Sequence, residues 1–226
     1  MAFLAQAATI AAKDLRSEFR SKESLNASVS FALVILILFS FAIDPTSDQM
    51  REMSGGLLWL VFAFAGALIL NRSFARELPN DCLDALIASP VSPAGLLLGK
   101  VAANFILLLL VEIICMPAFG ILYNLDWTAR AGWLALVFIL ATWGMTVIGA
   151  IFSALTVNLR LRELMLPTLV YPLMIPALMA AMRLTTVLIA GDAVTDGEWI
   201  WVRLLIGFDI IFTSLALALV DFVLVG

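Results

Sequence analysis

The chain reads as a succession of long apolar runs separated by short polar stretches. Apolar residues dominate 27–43, 57–70, 96–122, 132–157, 164–182 and 204–225. A helix needs roughly 20 apolar residues to cross the hydrocarbon core of a bilayer. The pattern therefore predicts six spanning helices, and the run at 96–122 is longer than a bilayer needs, so it tilts or projects. Ahead of them, 2–24 has a different periodicity. Leu4, Ala8, Ala11, Leu15 and Phe19 recur on one helical face, while Lys13, Asp14, Arg16, Glu18, Arg20, Lys22 and Glu23 fall elsewhere. Two readings fit: an amphipathic helix lying in the headgroup region, or a plain extension of the first span.

Composition agrees. Of the 226 residues 63% are hydrophobic and 13% charged, too little charge to cover a soluble domain of this length. The expected fold is an all-α integral membrane protein with one unit, 1–226, and no separate soluble catalytic domain. Residues 1–12 carry no basic residue ahead of their apolar stretch and do not read as a signal peptide. A net charge of −4, without a basic patch, gives nucleic acid nothing to hold. Cys82 and Cys115 are no disulfide framework. Histidine is absent, which removes the commonest general base and metal ligand.

Lys and Arg set the orientation. With the N-terminus inside, Lys13, Arg16, Arg20, Lys22, Arg72, Arg76, Lys100, Arg160 and Arg162 are cytoplasmic, and Arg51, Arg130, Arg183 and Arg203 are outside. The reverse topology fails this rule, so both termini are expected in the cytoplasm. Trp199 and Trp201 suit the outer interface.

The longest cytoplasmic connection, 71–100, contains Asp81, Leu83, Asp84, Leu86 and Ile87 in a stretch able to form a short amphipathic helix. Pro90 stops it, and Ser92-Pro93 opens the next span. A short helix tied to a long span can carry a push from a soluble partner; the alternative is an ordinary interfacial loop. Gly95-Leu-Leu-Leu-Gly99-Lys100-Val101 imitates a phosphate-binding loop. It has three residues between the glycines instead of four, no hydroxyl residue after the lysine and no preceding strand, so nucleotide binding is excluded.

Charges inside spans mark candidate functional positions. Glu112 falls mid-membrane and is either a pathway or subunit-contact residue or a protonated carboxyl bonded to a neighbouring helix. Asp209 and Arg183 fall near the outer side and are expected to pair. Asp221 lies near the cytoplasmic end. Pro167, Pro172 and Pro176 should kink or break the fifth span, which then needs a partner helix or cavity beside its freed carbonyls. Met174, Met179 and Met182 form a stripe that packs or contacts haem. A membrane aspartyl protease would need facing carboxylates, but Asp209 and Asp221 are about 18 Å apart on one helix. A Ser–His dyad lacks its histidine.

These residues resemble a known pattern. The short Leu-rich helix Leu83 to Ile87, the turn Ser89-Pro90-Val91 and Gly99-Lys100 are similar to the coupling region of ABC-2 type permeases. More narrowly, the chain resembles the CcmB family of cytochrome c maturation permeases. The resemblance rests on Lys13-Asp-Leu-Arg16, Glu18-Phe-Arg20, Phe74, Arg76-Glu77, Leu159-Arg-Leu-Arg-Glu163, Leu166-Pro167 and Tyr171-Pro-Leu-Met-Ile-Pro176. The family's acidic-Gly-x-Leu-Glu run is here Asn80-Asp81-Cys82-Leu83-Asp84, without the glycine.

The resemblance implies a permease subunit of the inner (cytoplasmic) membrane, not itself an enzyme. It would form a homodimer with a separate CcmA-like ATPase and associate with CcmC-like and CcmD-like membrane proteins. ATP on that partner would drive haem delivery to, or holo-form release of, a CcmE-like chaperone. No cofactor is expected on this chain. Without histidine only Met, Cys or Tyr could ligate haem, so haem is expected on partner subunits. The alternatives are an ABC-2 permease exporting a drug, lipid or polysaccharide, and a scaffold without a transport path.

Overall fold

A computed structural model describes residues 2–44, 47–78, 86, 91–157, 159 and 162–224. Among these residues there are seven α-helices and no strand: α1 (Ala2–Ser21), α2 (Glu23–Ala42), α3 (Asp48–Leu70), α4 (Pro93–Tyr123), α5 (Ala131–Thr156), α6 (Arg162–Ile189) and α7 (Trp199–Leu224). Short 3-10 turns at Ala75–Glu77 and Thr128–Arg130 follow α3 and precede α5. Six helices, all but α1, are long and apolar enough to cross a membrane. The chain is a multi-pass membrane protein, with the six spans that the apolar runs predict.

The spans extend beyond their apolar runs. The second starts at Asp48 instead of 57, because Ser47 caps it: its hydroxyl accepts from the Met50 N–H at 3.2 Å. The fifth runs on to Ile189, past 182. Its three prolines lie within one continuous helix. The packed face of α6 carries Leu166, Val170, Met174, Ala177, Ala181 and Leu184, while Pro172 and Pro176 face outward and Pro167 is half-buried. Of the expected kink or break, the helix shows no break, and its opposite face packs against the partner helices α3 and α5.

α3, α5 and α6 form the centre. Trp59, Phe62 and Phe138 meet edge to face, with ring centroids 5.6–5.8 Å apart. Three polar side chains here are paired across helices, as an apolar surround favours. Trp59 Nε1 donates to Thr185 Oγ1 at 2.9 Å, Tyr123 Oη to the Leu36 carbonyl at 2.7 Å, and Tyr171 Oη to the Ala63 carbonyl at 2.8 Å.

α1 packs mainly on the start of α4. Its buried stripe is Ala7, Ile10, Ala11 and Glu18, with Asp14 half-buried. Leu4 and Phe19 of the expected apolar face are 69% and 46% exposed. Small size decides which face packs. A Cβ at Gly99 would lie 2.7 Å from the Ile10 Cβ and 2.8 Å from the Ala7 carbonyl oxygen. Gly95 sits one turn earlier, its would-be Cβ 3.3 Å from Gln6 Oε1. The false phosphate loop is thus a Gly-xxx-Gly seam that lets two helix backbones approach. Val223 of α7 packs beside Ile10, Phe74 and Leu96, so α1 and the last turns of α7 share one end of the bundle, the basal end.

Replacing Gly99 by Leu should lift α1 off α4, at a cost of about 1–3 kcal/mol for overpacking. Amide exchange over 2–21 would accelerate in detergent. Gly207→Ala, where nothing lies within 4 Å, should leave it unchanged.

Candidate functional site: a basal ionic clasp

Three segments bring charge to one point at the basal end: α1, the turn after α3, and α4. Lys100, seven residues into α4, has a side chain only 1% exposed. Its Nζ donates to Glu77 Oε1 and the Ser73 carbonyl at 2.7 and 2.9 Å, and pairs with Asp14 Oδ2 of α1 at 2.9 Å. The Phe74 ring centroid is 5.5 Å away. Two hydrogen bonds and two carboxylate partners offset the cost of burying the charge. Lys13 adds a second cation, 2.6 Å from Glu77 and 3.3 Å from Asp14. Two lysines thus face two carboxylates.

A second layer joins α1 to α2. Glu18, fully buried, accepts from Arg76 and, through Oε1, from the Leu25 N–H at 2.8 Å. A carboxylate on the free N–H groups of a helix start is favourable. Arg76 also donates to the Ser24 hydroxyl. Asn104 Nδ2 donates to Ser73 Oγ at 2.8 Å. Gln6 Oε1 accepts from the Ser92 N–H and hydroxyl at 3.4 and 3.3 Å, at the cap of α4.

The clasp therefore holds both ends of the connection 79–90: Glu77 on one side, Ser92 and Lys100 on the other. Of the expected coupling residues, Asp81, Leu83, Asp84, Ile87 and Pro90 lie outside the described residues. Leu86 is described; with Leu78 and Val91 it packs on Ile10, Phe74, Leu96, Ala154 and Val157. Burial alone would lower the Lys13 pKa, but the carboxylates of Glu77 and Asp14 outweigh it and hold it above its ordinary 10.5.

The intramembrane candidates do not converge. Glu112 is 1% exposed and accepts from the Thr142 hydroxyl of α5; its Oε2 has no partner. Asp209 is 9% exposed and faces Gly144, whose would-be Cβ lies 2.7 Å from Oδ1. Among the described residues, Arg183 and Asp209 form no ion pair, which corrects the expected pairing. Arg183 instead lines a groove with residues of α2 and α3. The two residues lie near one end of the bundle but face different neighbours. Thr142 and Gly144 are about 200° apart around α5, so the two acids sit on different flanks and make no dyad. Among the described residues no cluster of His, Cys, Asp and Glu could hold a metal.

The sequence puts Lys100 on the cytoplasmic side and Glu18 off the apolar face of 2–24, and gives neither a partner. The available signal was the matched pairs Lys13-Asp14 and Arg76-Glu77, at opposite ends of apolar stretches.

Lys100→Met should cost about 3 kcal/mol by leaving Asp14 and Glu77 short of their buried cation, read as a lower unfolding temperature in detergent. Lys13→Met should cost about 1 kcal/mol or less, because Lys13 is half-exposed. With its folded pKa raised, the Lys13 contribution is complete below pH 10.5 and lost as pH rises through the folded value. The difference between wild type and Lys13→Met should therefore hold at pH 8 and vanish at strongly alkaline pH.

Comparison with known proteins places the chain. A family described as CcmB protein matches residues 5–223. Heme exporter protein B of Rhodobacter capsulatus is 31% identical over 166 residues, 74% of this chain and 76% of that protein. Heme exporter protein B of Paracoccus denitrificans is 30% identical over the same length and shares. That of Pseudomonas aeruginosa is 28% identical over 208 residues, 92% of both chains.

Proposed function

The chain belongs to the CcmB protein family, and on that premise we propose that it is the permease subunit of an ABC transporter for cytochrome c maturation. The observation that carries this reading is the clasp. A loop gripped at both ends by buried ion pairs, one of them on a 31-residue spanning helix, delivers displacement into the bundle. A loose loop would absorb it. The driving subunit is a CcmA-like ATPase engaging Asp81, Leu83, Asp84, Leu86, Ile87 and Pro90. ATP sits on that partner: the only lysine near a Gly-rich stretch, Lys100, is already enclosed, and α1 fills the space over Gly95 and Gly99.

The basal end faces the cytoplasm in this reading. Lys13, Arg72, Arg76 and Lys100 collect there, in keeping with the bias of basic residues to that side. The membrane is the inner membrane, and the chain acts as a homodimer beside CcmC-like and CcmD-like subunits. It couples hydrolysis to haem delivery or to release of a haem-loaded CcmE-like chaperone. Haem is held by partner chains, since this one has no histidine.

The test is reconstitution of the ATPase, chaperone and membrane partners with and without this chain. ATP-dependent release of loaded chaperone should require it; equal release without it would sink the proposal. Replacing Leu83 and Leu86 by Asp should weaken ATPase binding by about tenfold or more, equivalent to roughly 1.4 kcal/mol. Unchanged binding would remove the loop from the coupling role.

A further inference from the structure

The end opposite the clasp is open. Between α2, α3 and α6 lies a groove of about 490 Å³. Its walls are apolar, with Phe39, Leu57, Leu60 and Met179 among them. Leu60 and Met179 are 39% and 54% exposed, so the groove gives sideways onto the region occupied by lipid chains. Glu52 and Arg183 line it too. Among the described residues neither makes an ion pair, with the other or with any third group. Glu52 stands about 12 Å above Leu60 along α3, and Arg183 about 6 Å above Met179 along α6. The groove thus has two opposite, unmatched charges above an apolar slot.

Two adjacent glycines shape it. Gly55 is locked against α6: its N–H donates to Thr186 Oγ1 at 3.2 Å, and its would-be Cβ would overlap the Met182 carbonyl. Gly56 faces the groove, with nothing within 4 Å of its would-be Cβ. One glycine joins the walls and the next keeps the space between them empty.

We propose that this groove binds one aminophospholipid, its acyl chain along Leu57, Leu60 and Met179, its phosphate on Arg183 and its primary ammonium on Glu52. The inference rests on the membrane-spanning fold alone and is independent of the coupling role. Charge complementarity selects the ligand. An anionic lipid or a dicarboxylate macrocycle would satisfy Arg183 but face the Glu52 carboxylate. A quaternary ammonium would offer Glu52 no N–H donor.

The purified full chain, stripped of lipid in detergent, is offered equal amounts of dioleoyl phosphatidylethanolamine, phosphatidylglycerol and phosphatidylcholine, and retained lipid is read by native mass spectrometry. Phosphatidylethanolamine should be retained roughly three- to tenfold over the others, the scale of one or two exposed charge-assisted contacts. Glu52→Gln should abolish its advantage over phosphatidylcholine. Arg183→Gln should weaken all three. Gly56→Phe should exclude lipid while the unfolding temperature stays that of wild type.

Equal retention by wild type and the charge variants, or a preference for phosphatidylglycerol, would overturn the proposal. So would haem binding that rises in Glu52→Gln, since the site would then serve a dianion. A Gly56→Phe variant that keeps its lipid also overturns it, and if that variant loses dimers the groove is a subunit interface.

Discussion

A lysine ammonium stands in the wall of a helix bundle with almost no access to water, and much of the basal architecture follows from that. Such a charge is tolerable only when it is paired and hydrogen-bonded. At Lys100 the partners come from α1 and from the turn after α3. Neither segment can move away alone without leaving a buried charge unmatched. Asp14 is in turn held because α1 lies in the glycine seam of α4, and that seam admits α1 only because Gly95 and Gly99 have no side chains. Close approach and charge neutralisation therefore depend on each other.

The centre of the molecule is held differently. Between apolar helices in an apolar solvent, burial contributes little preference for one arrangement over another. Directional contacts fill that role. The hydroxyls of Tyr123 and Tyr171 reach backbone carbonyls of neighbouring helices, and Trp59 reaches Thr185. Gly66 and Gly149 let Met145 and Leu70 close in. Such contacts fix rotation and height, which greasy surfaces leave free. The result is a bundle firmly tied at one end and through its middle, and open between α2, α3 and α6 at the other.

Much of this was legible in the sequence, and the failures share one cause. Spans were visible because a bilayer demands about 20 apolar residues in a row. Their ends were not, because Ser47 caps a polar first turn that hydropathy scores as loop. The motif residues Lys13, Asp14, Glu18, Phe74, Arg76, Glu77 and Lys100 were each noticed, yet nothing in their spacing said that they meet. Arg183 and Asp209 look like partners by height in the membrane, but pairing also needs a shared azimuth, and theirs differ. On α1 the expected stripe is divided: Leu4 and Phe19 are left exposed, while Ala11 is buried with Ala7 and Ile10, two residues that lie against the glycine groove of α4. Depth is written in composition; rotation about each axis is set only by neighbours.

The joint between α1 and α2 is a single residue, Lys22, with left-handed backbone angles φ 55 and ψ 16. About that joint, α1 is a lever of 20 residues. Gln6, which holds Ser92, stands about 24 Å out along that arm, whereas Glu18 is only about 6 Å from the pivot. A rotation of about 5° carries Gln6 by roughly 2 Å and Glu18 by about a quarter of that. A push at the start of α4 that turned α1 about this joint would thus arrive at the base of α2 with its stroke reduced and, in mechanical exchange, its force multiplied.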